Sequence, residues 1–514
     1  MSEAKLQQEA EQSAAEQPGT PLAAAGSGAT DPADAGHDDA LDAPLFDPPF
    51  APLKAPYVFW QDVALLSLTG GFMGVFGYSF LKAISEGTDA WMRADGNSGY
   101  PDDPSSLHFG AGRWWWILMV AGMGLAVGLV RAVVRLETAP SFIQELRSMH
   151  VDPKVAAKST VITLISLLGA VPMGPEAGLG AAAGTVATLV CRRRSFRQQA
   201  TLRRRLYVLS TMCSAFAAFL PSPFVAVLMT MELSQPFDTL GLTHVHLALV
   251  LTFGATASFA AYYGIAGYTY YSPAIFLTDI VSGSYDQMFI VQGALIGIGG
   301  AAFGVVYILF AGFVQVAVRA ARAKLDTAVG RWPRVVVMAT AGGAAIGALG
   351  WAMPLVLTDG SSQLPTVMRS GAEVGSGVLA ASAFAKALAY HIAGECGFSG
   401  GIFLPMLSMS SLLGQVVVNS TGINAAMAQS CSAIALGAAL IPAPFMLALL
   451  ANSLALVGPQ GLVPIFTTAA TAHLLCIGIG VPQGLLARAA AQRAAKAAAS
   501  AAAAATVNGQ EVEP

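Results

Sequence analysis

Between residues 57 and 481 the chain is an almost unbroken series of apolar segments, and their unequal lengths constrain the fold more than any other feature. They run over 57–84, 113–134, 155–172, 177–191, 206–233, 243–266, 287–318, 335–357, 375–393, 402–418, 427–457 and 461–481. A helix that crosses a bilayer needs about 20 apolar residues. Several segments fall short of that, and others overrun it and are interrupted by Pro or Gly. Helices that stop inside a membrane are tolerated only where the freed backbone lines a polar site. Charge supports a lipid environment: 11% of the 514 residues are charged and 55% hydrophobic. A soluble domain carries about 25% charged residues, which excludes a water-soluble enzyme of this size. The expected fold class is all-α, a polytopic membrane protein with broken and re-entrant helices.

The formal net charge of −3 is the sum of two unlike parts. Residues 1–50 hold ten acids and one base, and the remainder holds 26 bases and 20 acids. Residues 1–55 lack the basic start and apolar centre of a signal peptide and read as a disordered acidic tail. An Ala-rich tail follows the last apolar segment over 487–514. Bases gather at Arg131 to Lys158, Arg192 to Arg205 and Arg319 to Arg334, whereas the loops at 85–112 and 267–286 are acidic. The positive-inside rule then makes the basic loops and both termini cytoplasmic, in a cell (plasma or inner) membrane. Seven bases between two apolar helices are topology markers, so nucleic acid is not an expected partner. The five cysteines show no CxxC pair and read as small core residues.

The halves, about 56–266 and 287–486, resemble one another. Ser222-Pro-Phe-Val-Ala-Val-Leu-Met-Thr-Met-Glu-Leu233 matches Ala443-Pro-Phe-Met-Leu-Ala-Leu-Leu-Ala-Asn-Ser-Leu454, and Gly174-Pro-Glu-Ala-Gly178 precedes a helix as Gly397-Phe-Ser-Gly-Gly401 does. The offsets are 221 and 223 residues. Two matches at nearly one offset indicate a duplicated unit, expected as inverted-topology repeats with a site at their interface.

Three places could handle an anion. Glu176 follows a Gly/Pro break at a helix N-terminus, where free N–H groups attract negative charge. A permeating anion would use the same groups, so an ionised Glu176 could compete with it and leave when protonated; the alternative role is a simple cap. Intramembrane carboxylates are costly and usually functional. Gly397-Phe-Ser-Gly-Gly-Ile-Phe-Leu-Pro405 exposes backbone amides, with Gly401, Ile402 and Phe403 as candidate anion donors and a tight turn as the alternative. In Ala139-Pro-Ser-Phe-Ile-Gln-Glu145, Ser141 can cap a helix or donate its hydroxyl to an anion.

With these motifs in this order, the chain resembles the CLC family of chloride channels and chloride/proton antiporters over about residues 57–486. Gly401-Ile-Phe-Leu-Pro405 fits the family's Gly-x-Phe-x-Pro fully. Gly174-Pro-Glu-Ala-Gly178 stands where Gly-(Lys/Arg)-Glu-Gly-Pro carries the gating glutamate. Pro140-Ser-Phe-Ile-Gln-Glu145 stands where Gly-Ser-Gly-Ile-Pro-Glu carries an anion-binding serine. The resemblance implies transport of chloride or similar small anions, with or without protons, in a homodimer within the lipid bilayer. It implies no cofactor and no enzyme activity. Three departures bear on mechanism. Antiporters of the family carry two adjacent glutamates after an Ala-Pro; here the positions are Glu232, a candidate for a proton path, and Leu233, which cannot relay a proton. Gly484 replaces a tyrosine of the inner gate, and Pro175 replaces the base beside the gate. These departures point to passive conduction gated by Glu176, with chloride/proton or fluoride/proton antiport as the alternative.

Weaker candidates are a Lys386/Glu395 vestibule pair and His473, isolated in an apolar helix. Gly397-Phe-Ser399-Gly400 also fits the Gly-x-Ser-Gly of rhomboid-type intramembrane proteases, with Ser399 and His473 as a dyad. That reading leaves Glu176 and the repeat unexplained.

Overall fold

A computed structural model describes residues 56–94, 96, 99–137, 142–191, 200–234, 244–270, 286–455 and 457–479. Within them the chain is all-helical: α1 (Pro56–Met92), α2 (Trp115–Val134), α3 (Phe142–Ser148), α4 (Pro153–Leu168), α5 (Glu176–Cys191), α6 (Ala200–Ala217), α7 (Pro223–Ser234) and α8 (His244–Ala266). The second half supplies α9 (Met288–Val329), α10 (Arg331–Ala352), α11 (Leu364–Val374), α12 (Ser376–Cys396), α13 (Phe403–Thr421), α14 (Ala425–Leu440), α15 (Pro444–Ala455) and α16 (Gly458–Gly478). Eight of the described helices are long and apolar enough to cross a membrane, and α5, α7, α14 and α15 are shorter apolar helices. The expected mixture of spanning and short helices is therefore present in a multi-pass membrane protein. The two tails and Gly484 lie outside the described residues.

Two long apolar runs break where proline sits. The run 206–233 divides into α6 and α7 around Pro221 and Pro223, and 427–457 divides into α14 and α15 around Pro442 and Pro444. Proline cannot continue a helix but suits the first turn of the next. Conversely, α9 runs eleven residues past the end of its apolar segment, to Val329. Its Ala, Arg and Lys residues there are strong helix formers with no need for lipid.

Small residues set how closely the helices approach. In α2 and α10 two Gly-xxx-Gly pairs face each other. A Cβ on Gly124 would overlap the Ala339 carbonyl, and one on Gly128 would stand 2.6 Å from Val336 Cα. Reciprocally, one on Gly343 would overlap the Val120 carbonyl, and one on Gly347 would stand 2.7 Å from Ile117 Cα. Gly70 and Gly74 of α1 meet Gly254 and Ser258 of α8 in the same way. Lipid offers no hydrophobic drive for helix pairing, so close backbone approach through small residues supplies the contact energy. Four of the five cysteines, Cys213, Cys396, Cys431 and Cys476, are buried within this packing, whereas Cys191 is only half-buried at the end of α5.

Candidate functional site

The site forms where the Gly/Pro breaks of the two halves meet. Gly174 and Gly401 form an isolated antiparallel bridge: the Gly174 N–H donates to Gly401 O at 2.9 Å, and the Gly401 N–H to Gly174 O at 2.6 Å. This bridge brings the N-termini of α5 and α13 together. Glu176, the first residue of α5, is fully buried. Its Oε1 accepts a 3.1 Å hydrogen bond from the Leu404 N–H in the first turn of α13, and its Oε2 has no partner. A Cβ on either Gly174 or Gly401 would overlap the Glu176 carboxylate, which explains why both bridging residues are glycine. One carboxylate thus occupies the positive end of a helix from the opposite half, the arrangement that binds anions generally.

The loop 397–402 is held from several sides. Ser399 N–H donates to Ser166 Oγ at 3.1 Å, and Thr163 Oγ donates to Ser399 Oγ at 3.0 Å. Gly397 adopts φ +100°, a left-handed conformation open to glycine, and closes α12. Its carbonyl accepts from Arg131 Nε at 2.6 Å. Helix α13 then starts at Phe403, with Ile402 at its N-cap. The Gly401 amide is committed to Gly174, so Gly401 supplies the turn and the close approach rather than a donor for an anion. The amide that meets the Glu176 carboxylate is that of Leu404. Backbone amides carry no side-chain signature, and only the fold could single out this one.

On the side of the acidic loop, a cavity of about 80 Å³ lies beside the bridge, with Asp89, Arg93, Tyr100, Pro175, Tyr270 and Asp359 among its lining residues. Deeper in, Lys386 of α12 is completely buried. Its ammonium donates to Leu355 O (2.9 Å), Leu357 O (3.1 Å) and Gln363 Oε1 (3.3 Å). Glu395, its anticipated partner, instead pairs with Arg322 at 3.5 Å. The vestibule pair is therefore not formed: residues nine apart in a helix lie on opposite faces, half a turn out of phase.

The remaining candidates are placed as follows. Glu232 of α7 accepts from the Phe445 and Met446 N–H groups at 3.1 and 2.8 Å, so it caps the N-terminus of α15. Leu233 is wholly buried, and its carbonyl accepts from Arg147. Glu145 in α3 is buried, which pushes its carboxyl up to about 7. Ser141 lies outside the described residues. The Ser399 hydroxyl is engaged by Thr163, while His473 Nδ1 lies 3.1 Å from Ala438 O, so the two do not form a dyad.

Broken helices from two halves, meeting N-terminus to N-terminus around one carboxylate, define a membrane protein for anion transport. Residues 119–476 match the family model described as voltage gated chloride channel, and the chain belongs to that family, the CLC proteins. Its fold is shared with solved structures at low identity. A slow cyanobacterial Cl⁻/H⁺ antiporter superposes with a TM-score of 0.65 at 18% identity, covering 84% of this chain and 98% of that one. A CLC-type fluoride/proton antiporter gives 0.58 at 15%, covering 82% and 97%, and a eukaryotic CLC transporter gives 0.59 at 13%, covering 82% and 73%. No curated protein matches in sequence.

Proposed function

We propose that the protein conducts chloride or similar small anions passively through a pore gated by Glu176. The observation that carries this reading is the hydrogen bond from the Leu404 amide to the fully buried Glu176 carboxylate. The carboxylate is a tethered anion resting on a donor that a free anion would use. Ile402, Phe403 and Leu404 amides and the Ser141 hydroxyl would replace the ion's water shell. Protonation removes the charge that holds Glu176 at the helix terminus, so the site opens to the permeating ion. The side chain supplies a gate and no bond is made or broken, so the protein acts as a transporter and not as an enzyme. The expected setting is a homodimer, one pore per subunit, in the cell membrane with both termini cytoplasmic.

The passive reading rests on Leu233, a buried hydrocarbon where a proton-relaying acid would be needed. Coupled exchange of chloride or fluoride for protons is the second reading. It is favoured by the two structural neighbours that are antiporters, and it would use Glu232 for the inner proton step. The test is chloride efflux from liposomes holding the purified protein. Efflux should rise as pH falls in the wild type and become nearly independent of pH in Glu176→Gln. An unchanged pH dependence in that variant would remove the gate.

A further inference from the structure

The cavity beside the glycine bridge has Pro175, the residue next to Glu176, in its wall, so it is the approach to the gate from the acidic-loop side. Proline stands there where the family pattern has a base. Two acids and one base line the cavity: Asp89, Asp359 and Arg93. Arg93 is flanked by Asp89 at 3.9 Å and Asp102 at 3.6 Å, so its charge is answered within its own cluster. Among the described residues, Asp359 has neutral donors instead. It accepts from the Tyr270 hydroxyl at 3.2 Å, the Ser361 hydroxyl at 2.7 Å and the Ser361 N–H at 3.0 Å. Three donors suit an ionised carboxylate, which only accepts. The loop that carries it is clamped on both sides. The Thr358 N–H donates to Ala170 O at 2.7 Å, just ahead of the Gly174 bridge, and the Lys386 ammonium holds the Leu355 and Leu357 carbonyls. Asp359 is itself buried, at 8% exposure, and near enough to Glu176 for the two carboxylates to repel each other.

We infer that Asp359 is a specificity-determining residue at this mouth: its fixed charge opposes anions entering from the acidic-loop face and raises the chloride concentration needed to fill the site from there. This rests on the reading that anions pass Glu176. A cleft with low-dielectric walls focuses the field of the charges that line it and lowers the local concentration of ions of the same sign. Clamped at Thr358 and at Leu357, the loop cannot swing the carboxylate away as an anion arrives. The consequence is asymmetric conduction, because the opposing charge stands at one mouth of the path only.

The experiment takes Glu176→Gln as the parent, so that no gating carboxylate competes, and records chloride currents in excised patches, where every copy faces one way. Half-saturating chloride is read with chloride varied on one face at a time. The acidic-loop face is identified by labelling Asp102→Cys, at an exposed position, with an impermeant thiol reagent. Adding Asp359→Asn should lower half-saturating chloride on that face about threefold, the scale of a unit charge acting through partly hydrated space, and by less on the opposite face. Asp359→Glu keeps the charge and should keep the parent value. Ser362→Lys, at an exposed position on the same wall, adds the opposite charge and should also lower it. A shift equal on both faces, or none in folded Asp359→Asn, would overturn the inference. Should that variant fail to fold, an unshifted value in Ser362→Lys would overturn it equally. A parent that passes no anion current would instead defeat the passive reading proposed above.

Discussion

At the scale of single residues, the chemistry lies in a few buried polar groups whose partners are backbone. Glu176 takes the Leu404 amide, Glu232 takes two amides of α15, and Arg131 and Lys386 donate to carbonyls. Glu232→Gln keeps the shape of its cap but loses the charge at the helix N-terminus. The expected loss is about 1 kcal/mol, read as a lower thermal midpoint in detergent. Glu145 gives a pH signature of its own. Its folded carboxyl lies near 7 because of burial, against about 4.3 for a free glutamate. The folded state therefore holds the proton more tightly, and this contribution is full below about pH 4.3 and lost as pH rises through 7. The difference in stability between wild type and Glu145→Gln should change over that window and be flat above it, as followed by chemical denaturation at fixed pH steps. Glu176 was legible in sequence because an acid beside a Gly-Pro break in an apolar stretch is too costly to keep without a role at a helix terminus. Arg131 was not: its burial depends on Gly397, 266 residues away, and a base at a helix end reads equally well as a topology marker.

At the scale of elements, the helices are cut by proline and spaced by glycine. The pairing of α2 with α10 is the clearest case, because each helix presents glycines where the other presents backbone. Gly343→Ala should cost about 1–3 kcal/mol, since the added methyl would overlap a carbonyl rather than a movable side chain. Gly122→Ala is the control on the same pair of helices. A Cβ there meets nothing within 4 Å, and the change should be neutral or stabilising by up to about 1 kcal/mol. Thermal denaturation of the two variants in one detergent compares them directly. The apolar segments mark all the described helices except the short α3 and α11, and the Pro-Phe stretches each open a short apolar helix, α7 and α15. The C-terminal end of α9 was hidden, because a helix continuing beyond the lipid needs propensity and not hydropathy. The α6–α7 and α14–α15 breaks fall inside continuous apolar runs at the prolines that the sequence shows interrupting them.

At the scale of the molecule, the site is assembled from both halves of the chain. Each half supplies a helix N-terminus, and the Gly174–Gly401 bridge sets the two together with a carboxylate between them. The chain therefore needs little charge to handle an ion, which accounts for so apolar a composition in a protein that moves anions. Leu233, a buried hydrocarbon with no proton to relay, is the ground for proposing that anions pass this site without obligatory proton exchange. The most direct test is the reversal potential across a membrane containing the purified protein, with a fixed chloride gradient and a varied proton gradient. Passive conduction gives a reversal potential set by chloride and unmoved by protons; a potential that shifts with the proton gradient would mean coupled exchange instead.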